Sequence, residues 1–81
     1  MRVTVCFYSY FKDLAGSSAI TEELPEGTTL EDLSKKIERR FPKMAAMRKS
    51  VLIAVGLDYQ HPNYVLREGD EISFFPPVQG G

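Results

Sequence analysis

The first part of the chain alternates between apolar and polar residues, which is the two-residue period of a β-strand. Residues 2–11 show this alternation most clearly. The apolar side of this segment holds Val3, Val5 and Phe7. After a short turn, a weaker alternation over residues 18–24 predicts a second strand, and its Glu22 and Glu23 suit an edge strand that discourages foreign pairing. The two segments predict a β-hairpin.

A helical period follows the hairpin. Thr28, with Glu31 three residues later, fits a capping box that opens a helix. The apolar residues then recur at spacings of three and four, which line one face of a helix. They are Leu30, Leu33, Ile37 and Phe41. Pro42 is predicted to end this helix, and residues 43–50 are predicted to form a connector with a short helical turn that packs Met44 or Met47 against the sheet.

The second half of the chain predicts further strands. Residues 51–55 are apolar on both faces and rich in β-branched side chains, as expected of a strand near the middle of a sheet. A turn and a loop with a short strand follow in residues 56–66, and residues 71–75 predict the last strand. By alternation, Phe74 points into the core and Phe75 lies on the opposite, largely uncovered face.

This order of elements predicts an α+β fold of the β-grasp type. One main helix covers one face of a mixed sheet. The first and last strands are predicted to lie side by side and parallel in its centre, because a long excursion rather than a tight turn links them. The chain has 81 residues, which suits one domain and no second core. We expect residues 1–75 to form this domain.

Composition narrows the possible functions. The net charge of −1 provides no basic field for a nucleic acid, so we expect no nucleic-acid partner. Cys6 is the single cysteine, and its place in a strand predicts a reduced packing residue in a cytoplasmic protein. His61 is the single histidine and lies in a polar loop, so neither a metal site nor a catalytic triad is expected. No apolar run is long enough to span a membrane.

The C-terminal residues 76–81 are predicted to form a flexible tail. Pro76 and Pro77 lack amide donors, so the last strand cannot continue and the chain must leave the sheet. Fully extended, the tail reaches about 20 Å. Gly80 and Gly81 lack a Cβ and can pass through a channel too narrow for a side chain. These features predict a tail that enters the pocket of a partner protein.

The tail belongs to a longer string that resembles a known family. The string reads Gly69-Asp70-Glu71-Ile72-Ser73-Phe74-Phe75-Pro76-Pro77-Val78-Gln79-Gly80-Gly81. It is similar to the C-termini of sulfur carriers of the ubiquitin-like β-grasp superfamily, and most similar to those of the small subunits of molybdopterin synthase. A looser match covers residues 7–16, where a strand runs into a turn. The chain departs from the family at Val55-Gly56, where many relatives carry Asn.

The resemblance implies a covalent role for Gly81. An ATP-dependent adenylating enzyme would activate its carboxylate, and a persulfide sulfur would then replace AMP to give a C-terminal thiocarboxylate. The large, catalytic subunit of molybdopterin synthase would hold the pocket in which this sulfur attacks cyclic pyranopterin monophosphate, in a heterotetrameric complex. The chain would be non-catalytic on its own and bind no cofactor, since ATP is used by the activating partner.

The resemblance also implies which residues bind partners. Phe75 and Val78 resemble the family's hydrophobic docking contacts. The tail residues Pro76, Pro77, Gln79 and Gly80 are assigned to partner binding with them. Two further candidates are Tyr8, as an interface aromatic together with Tyr10, Tyr59 and Tyr64, and Lys12, which matches a basic position of the family's N-terminal turn. Phe75 packing at the edge of the core and Lys12 as a solvated charge remain open alternatives.

Three other functions stay open at this point. A carrier of the thiamine thiazole pathway shares the fold and the Gly-Gly end, although it usually lacks the Phe-Phe-Pro-Pro-Val stem. A protein modifier would join Gly81 to lysine amines. An adaptor domain would bind partners through its open sheet face without acyl chemistry.

Overall fold

The computed structural model describes residues 1–77, and the predicted tail residues Val78, Gln79, Gly80 and Gly81 lie outside this range. Within it, three α-helices accompany one five-stranded sheet. The strands are β1 (Arg2–Phe7), β2 (Ala19–Glu23), β3 (Leu52–Val55), β4 (Asp58–Tyr59) and β5 (Glu71–Phe75). The helices are α1 (Tyr10–Ala15), α2 (Leu30–Arg40) and α3 (Pro42–Ala45), and a 3-10 turn follows at Arg48–Ser50.

The sheet has the order β2-β1-β5-β3-β4 and is mixed. β1 and β5 run parallel, with Val5 beside Ile72 and Phe7 beside Phe74, while the other neighbours are antiparallel. The predicted pairing of the first and last strands in the centre of an α+β β-grasp sheet is therefore confirmed. A long crossover through α2 is what allows a parallel pair at this position.

One face of the sheet forms the core with α2. β1 contributes Val3, Val5 and Phe7, and β5 contributes Ile72 and Phe74, all of them buried. From the helix, the residues at three- and four-residue spacing meet this face and are also buried, namely Leu30, Leu33 and Ile37. Each such side chain contributes about 1.5–3 kcal/mol on burial, so this single layer of contacts carries most of the stability.

α2 is closed at its N-terminus by a capping box one residue later than predicted. The Asp32 amide donates to Thr29 Oγ1 at 3.2 Å, and the Thr29 amide donates to Asp32 Oδ2 at 3.1 Å. These hydrogen bonds hold the pKa of Asp32 below its usual value. The predicted box at Thr28 and Glu31 is wrong, because the Thr28 hydroxyl instead donates to the Pro25 carbonyl at 2.7 Å and closes the preceding turn.

β1 is shorter than the alternation predicted. The strand ends at Phe7, and the residues from Tyr10 onward form α1 instead of extending the strand to residue 11. Ser9 adopts a φ of 55°, a conformation that L side chains rarely take, and this turn redirects the chain. Phe11 is completely buried beneath α1, so the apolar residue that prolonged the strand pattern serves the helix.

The end of α2 differs from the prediction in one respect. The helix stops at Arg40, and Pro42 begins α3 at a position where its missing amide costs no hydrogen bond. Phe41, at the junction, packs edge-on against Phe7 with ring centroids 5.7 Å apart. The prediction of a short helical turn in the connector is confirmed, since Met44 is buried and Met47 packs against the core.

The predicted role of Glu22, to discourage foreign pairing at the edge of the sheet, is wrong. Its register partner is Val3, so its side chain points to the helix-covered face and only 6% of it is exposed. There it accepts from Lys36 Nζ at 2.9 Å and from Arg40 Nη1 at 2.8 Å. The carboxylate thus ties the edge strand to α2, while the neighbouring Glu23 remains in solvent.

β3 lies between β5 and the two-residue β4, so it is one strand away from the sheet edge. Ala54 and Val55 are buried, but Leu52 and Ile53 are only half-buried. The strand is therefore less enclosed than its apolar sequence predicted. None of the helices in residues 1–77 has the length and apolar character that crossing a membrane requires.

Candidate functional site

The face of the sheet away from α2 carries an aromatic patch made of Tyr8, Tyr59, Phe75 and Leu57. The Phe75 ring lies between the two tyrosines, with centroids 6.5 Å from Tyr8 and 6.1 Å from Tyr59. Tyr8 is 49% exposed, Tyr59 66% and Leu57 fully exposed. Exposed apolar groups that lie together on a small domain make this patch the candidate interaction surface.

Strand register explains why these side chains meet. Phe74 pairs with Phe7 and points into the core, so Phe75 must point to the open face, as predicted. Tyr59 lies opposite Ala54, whose small side chain leaves a shallow hollow of about 470 Å³ beside Phe75. Gly56 forms the turn at this edge with a φ of 61°, which places Leu57 at its tip.

The aromatic patch lies where the tail begins. β5 ends at Phe75, and the half-buried Pro76 and Pro77 follow it directly. The Tyr8 amide donates to the Phe74 carbonyl at 3.0 Å, which extends the β1 and β5 pairing to this end of the sheet. Phe75, the two prolines and Tyr8 are thus brought together, as expected of predicted partner-binding residues, whereas Val78 to Gly81 lie outside the described part of the chain.

The remaining predicted interface residues lie outside the aromatic patch. Lys12 is exposed on α1. Tyr10 packs on Phe11, with ring centroids 4.7 Å apart. The Tyr64 hydroxyl donates to Asp70 Oδ2 at 3.1 Å, and burial together with this bond raises the pKa of Tyr64. Of the four tyrosines, Tyr8 and Tyr59 therefore belong to the aromatic patch, while Tyr10 and Tyr64 do not.

Cys6 lies half-buried on the open face, beside Ser73 of β5. Burial is the main cause that raises the pKa of its thiol, and the nearby Glu71 carboxylate adds to the effect. The thiol is therefore more fully protonated at neutral pH than an ordinary cysteine, which makes it a poor nucleophile. This chemistry agrees with the predicted packing role.

The structure shows no metal centre in residues 1–77, since these contain no group of three or more His, Cys, Asp or Glu side chains that could hold an ion. His61 is exposed, and its Nδ1 accepts from the Asn63 amide at 3.2 Å.

Two features were missed by the sequence analysis. One is Leu57, which was read only as part of a turn, although an apolar residue at a turn tip is itself a signal of a contact surface. The other is a groove of about 540 Å³ between α2 and β3, lined by Leu30, Ile37 and Ile53. The cations at its rim, Lys35 and Arg48, are paired with Glu31 and Glu38. No sequence pattern reveals such a groove, since it arises because α2 leaves β3 partly uncovered.

Comparison with known proteins identifies sequences to which this chain is similar. Residues 5–81 match the ThiS family. The molybdopterin synthase sulfur carrier subunit of Chlamydomonas reinhardtii is 30% identical, and the alignment covers 100% of both chains.

Solved structures show the same architecture. A putative molybdopterin converting factor subunit 1 from Pyrococcus furiosus superposes with a TM-score of 0.86 at 31% identity, covering 96% of this chain and 99% of that one. A complex of subunits 1 and 2 of the molybdopterin-converting factor from Helicobacter pylori contains a chain that matches with a TM-score of 0.73 at 26% identity, with 100% of both chains covered.

Proposed function

Because the chain belongs to the ThiS family, we propose that it is the sulfur-carrier subunit of a molybdopterin synthase. The observation that supports this most strongly is the similarity to a sulfur carrier subunit over the whole of both chains. It includes the aromatic patch and continues through the two terminal glycines. An adaptor domain without acyl chemistry would need the patch but not those glycines.

The proposed reaction takes place at the carboxylate of Gly81. A free carboxylate is a poor acyl donor, so an adenylating partner first joins it to AMP, and pyrophosphate leaves from ATP. A persulfide sulfur then attacks the acyl carbon and AMP leaves. A second thiol of the sulfur donor then attacks the donor-side sulfur of the resulting acyl disulfide. A disulfide forms within the donor, the S–S bond to the acyl sulfur breaks, and the thiocarboxylate is released. The chain carries neither Gly-x4-Gly-Lys nor Gly-x-Gly-x-x-Gly, so ATP is assigned to the partner.

The proposed acceptor of the sulfur lies in a second partner. The large subunit of the synthase holds cyclic pyranopterin monophosphate, and two successive deliveries from Gly81 build the dithiolene. The solved complex of subunits 1 and 2 from Helicobacter pylori supports such a partner. We assign the assembly to a cytoplasmic heterotetramer in which the chain supplies sulfur and the large subunit supplies catalysis.

The aromatic patch is the proposed docking surface for both partners. Phe75 is held between Tyr8 and Tyr59 before any partner binds, so little side-chain entropy remains to be lost on docking. Aromatic anchors of this kind commonly dominate binding energy. Pro76 and Pro77 start the tail at the edge of this surface, and their missing amide donors prevent β5 from continuing in the sheet.

Intact mass measurement tests this function. The protein is incubated with ATP, the adenylating enzyme of the same organism and a persulfide donor. We expect the mass to change by replacement of one oxygen with sulfur, and we expect deletion of Gly81 to abolish the change. The deletion variant should keep the circular dichroism spectrum and unfolding temperature of the native chain, because the sheet already ends at Phe75. A native chain whose mass stays unchanged in a charging system that works on a known carrier contradicts the proposal.

A second measurement separates the molybdopterin pathway from its alternatives. The thiocarboxylated chain is mixed either with cyclic pyranopterin monophosphate and the large synthase subunit, or with the thiazole precursors and a thiazole synthase. We expect sulfur to leave the chain only in the first mixture. Isopeptide conjugates of Gly81 with lysine in lysates would instead favour a protein modifier.

A further inference from the structure

The net charge of −1 conceals a separation of charge along the molecule. From residue 39 to residue 57 the sequence holds five Lys or Arg residues and no Asp or Glu. This run includes the last turn of α2, all of α3 and the 3-10 turn before β3. A run of this kind matters only if the fold gathers it on one surface.

The fold gathers these residues at the end of the sheet where the tail begins. Leu52, the first residue of β3, pairs with Phe75, so the 3-10 turn with Arg48 and Lys49 lies beside the end of β5. α3, which carries Lys43, contacts α1, and α1 follows the end of β1. The end of α2 reaches the same region, since Phe41 packs on Phe7.

We call this surface the basic end and define it by Lys12, Arg39, Lys43, Arg48 and Lys49, all of which are exposed. Arg48 is bound to Glu38. The other four have no ion-pair partner among residues 1–77. In this part of the chain, no carboxylate is therefore paired with these four charges. Asp13, next to Lys12, is the one carboxylate carried by α1, α3 or the 3-10 turn.

Most carboxylates lie at the opposite end. Glu23 pairs in register with Arg2 at the start of β1, and Glu71 begins β5. Glu31 and Asp32 lie in the first turn of α2, and Glu68 accepts from the Arg2 amide at 2.9 Å. Arg2 and Arg67 also lie at that end, but these five carboxylates outnumber them. The molecule is therefore more positive where the tail leaves the body and more negative at the far end, which gives it a charge dipole.

We propose that the basic end steers the chain, tail first, toward an acidic protein surface around the opening of the pocket that receives the tail. This inference rests on the proposed function, in which the tail enters a partner. A dipole of this direction turns the tail toward a negative surface before contact and raises the association rate. Because these cations are exposed and lie outside the aromatic patch, they act on the rate of association and its salt dependence more than on the rate of dissociation.

The arrangement favours a protein over a nucleic acid as the partner. The four cations that are unpaired within residues 1–77 lie at the end of the sheet where the tail begins, and the proposed function places the tail in a protein pocket. The carboxylates at the opposite end oppose the binding of a phosphate backbone along the length of the molecule. The basic end therefore acts in one orientation.

Association kinetics test the inference with two charge-matched double variants. Lys43→Glu with Lys49→Glu reverses two charges of the basic end. Lys35→Glu with Arg67→Glu reverses two exposed charges elsewhere, so both variants have the same net charge. Stopped-flow association with the large synthase subunit of the same organism is measured at about 0.02 M and about 0.5 M NaCl.

We expect the first variant to associate about tenfold more slowly than the native chain at low salt, with an unchanged dissociation rate and a flatter salt dependence. The control variant should stay within about twofold of the native chain. Equal losses in the two variants overturn the inference, as does a native rate that salt does not alter. Native binding to a DNA duplex of about 20 base pairs that only the first variant loses, with association to the subunit unaffected, overturns it in favour of a nucleic acid.

The mass measurement on Gly81 keeps this inference distinct from the proposed function. A chain that becomes thiocarboxylated but associates independently of charge loses only the steering role. A chain that neither becomes thiocarboxylated nor binds the subunit loses both the steering role and the proposed function. Thermal unfolding of each variant checks that the change in rate does not come from a damaged fold.

Discussion

The two faces of the central strands have the same backbone and opposite roles. On the covered face, Val5, Phe7, Ile72 and Phe74 are sealed beneath α2, and their side chains serve stability. On the open face, Phe75 of β5 and Tyr8, which follows β1 directly, remain in contact with solvent. Since neighbouring residues in a strand point to opposite faces, one position along β5 separates a core residue from the proposed docking residue Phe75.

The comparison teaches that a small domain can divide its apolar residues between folding and recognition. With 81 residues there is material for one core, so every large apolar side chain left outside it lowers the stability available. Tyr8, Leu57, Tyr59 and Phe75 are outside it. The proposed docking role would account for their position outside the core.

Substitution of Phe74 and of Phe75 by Ala gives the largest expected contrast between the faces. Phe74→Ala should lower the free energy of unfolding by about 3–5 kcal/mol, because it leaves a cavity under α2. Phe75→Ala should cost about 1 kcal/mol, the value of its contacts with the two tyrosines, and weaken binding to the large subunit by roughly tenfold or more. Urea unfolding and titration calorimetry measure the two quantities. Equal stability losses would show that the faces do not differ in this way.

A smaller contrast is expected on β2, between Glu22 and Glu23. Glu22→Gln keeps the shape but removes the charge that binds Lys36 and Arg40, so we expect a loss of about 1–2 kcal/mol after allowance for their half-exposed positions. Glu23 is 66% exposed and pairs with Arg2, and Glu23→Gln should cost less than about 0.5 kcal/mol. Urea unfolding of both variants at neutral pH checks this. A Glu22→Gln protein as stable as Glu23→Gln would contradict the assigned link to the helix.

The smallest effect concerns Cys6 on the open face. Its raised pKa predicts that alkylation by iodoacetamide is slower at pH 8 than for a free cysteine and increases only at higher pH. Glu71→Gln should lower the pKa of Cys6 and speed alkylation by less than about tenfold, because burial, the larger cause, remains. The same shift means that the stability linked to this thiol is present below its unfolded pKa and is lost as the pH rises through the higher folded pKa.

The rate of alkylation followed against pH by mass spectrometry measures this effect, and a Cys6→Ser chain gives the background. If Glu71→Gln leaves this pH profile unchanged, the Glu71 carboxylate does not raise the pKa of Cys6.

Most of the sheet could be predicted because alternation and register are local properties. The faces on which Val5, Phe74 and Phe75 lie follow from the two-residue period of a strand. The parallel pairing of the first and last strands follows from the length of the chain that links them. The family resemblance of the C-terminal string is confirmed by the match over residues 5–81.

The errors came from places where two local signals compete. Phe11 prolonged the strand pattern, yet the turn at Ser9 had already begun a helix that buries it. Thr28 and Thr29 are both followed by an acidic residue three positions later, so the sequence alone could not choose between two capping boxes. The ion pairs of Glu22 depend on where α2 lies relative to β2. This is a tertiary relation that no sequence window contains.

The candidate site was predictable in part. Tyr8 and Phe75 were assigned to partner binding, and the structure brings them together, but their contact with a partner stays a prediction, as do the roles of Val78, Gln79, Gly80 and Gly81. The basic end was not foreseen, because the overall charge balance hides how the fold sorts the signs.

The parallel pairing of β1 with β5 has a consequence for folding. These two strands lie far apart in the sequence, so the centre of the sheet forms only after a long loop of chain has closed. A chain cut before Glu71 would lack β5 and leave β1 with an unpaired edge in the middle of the sheet.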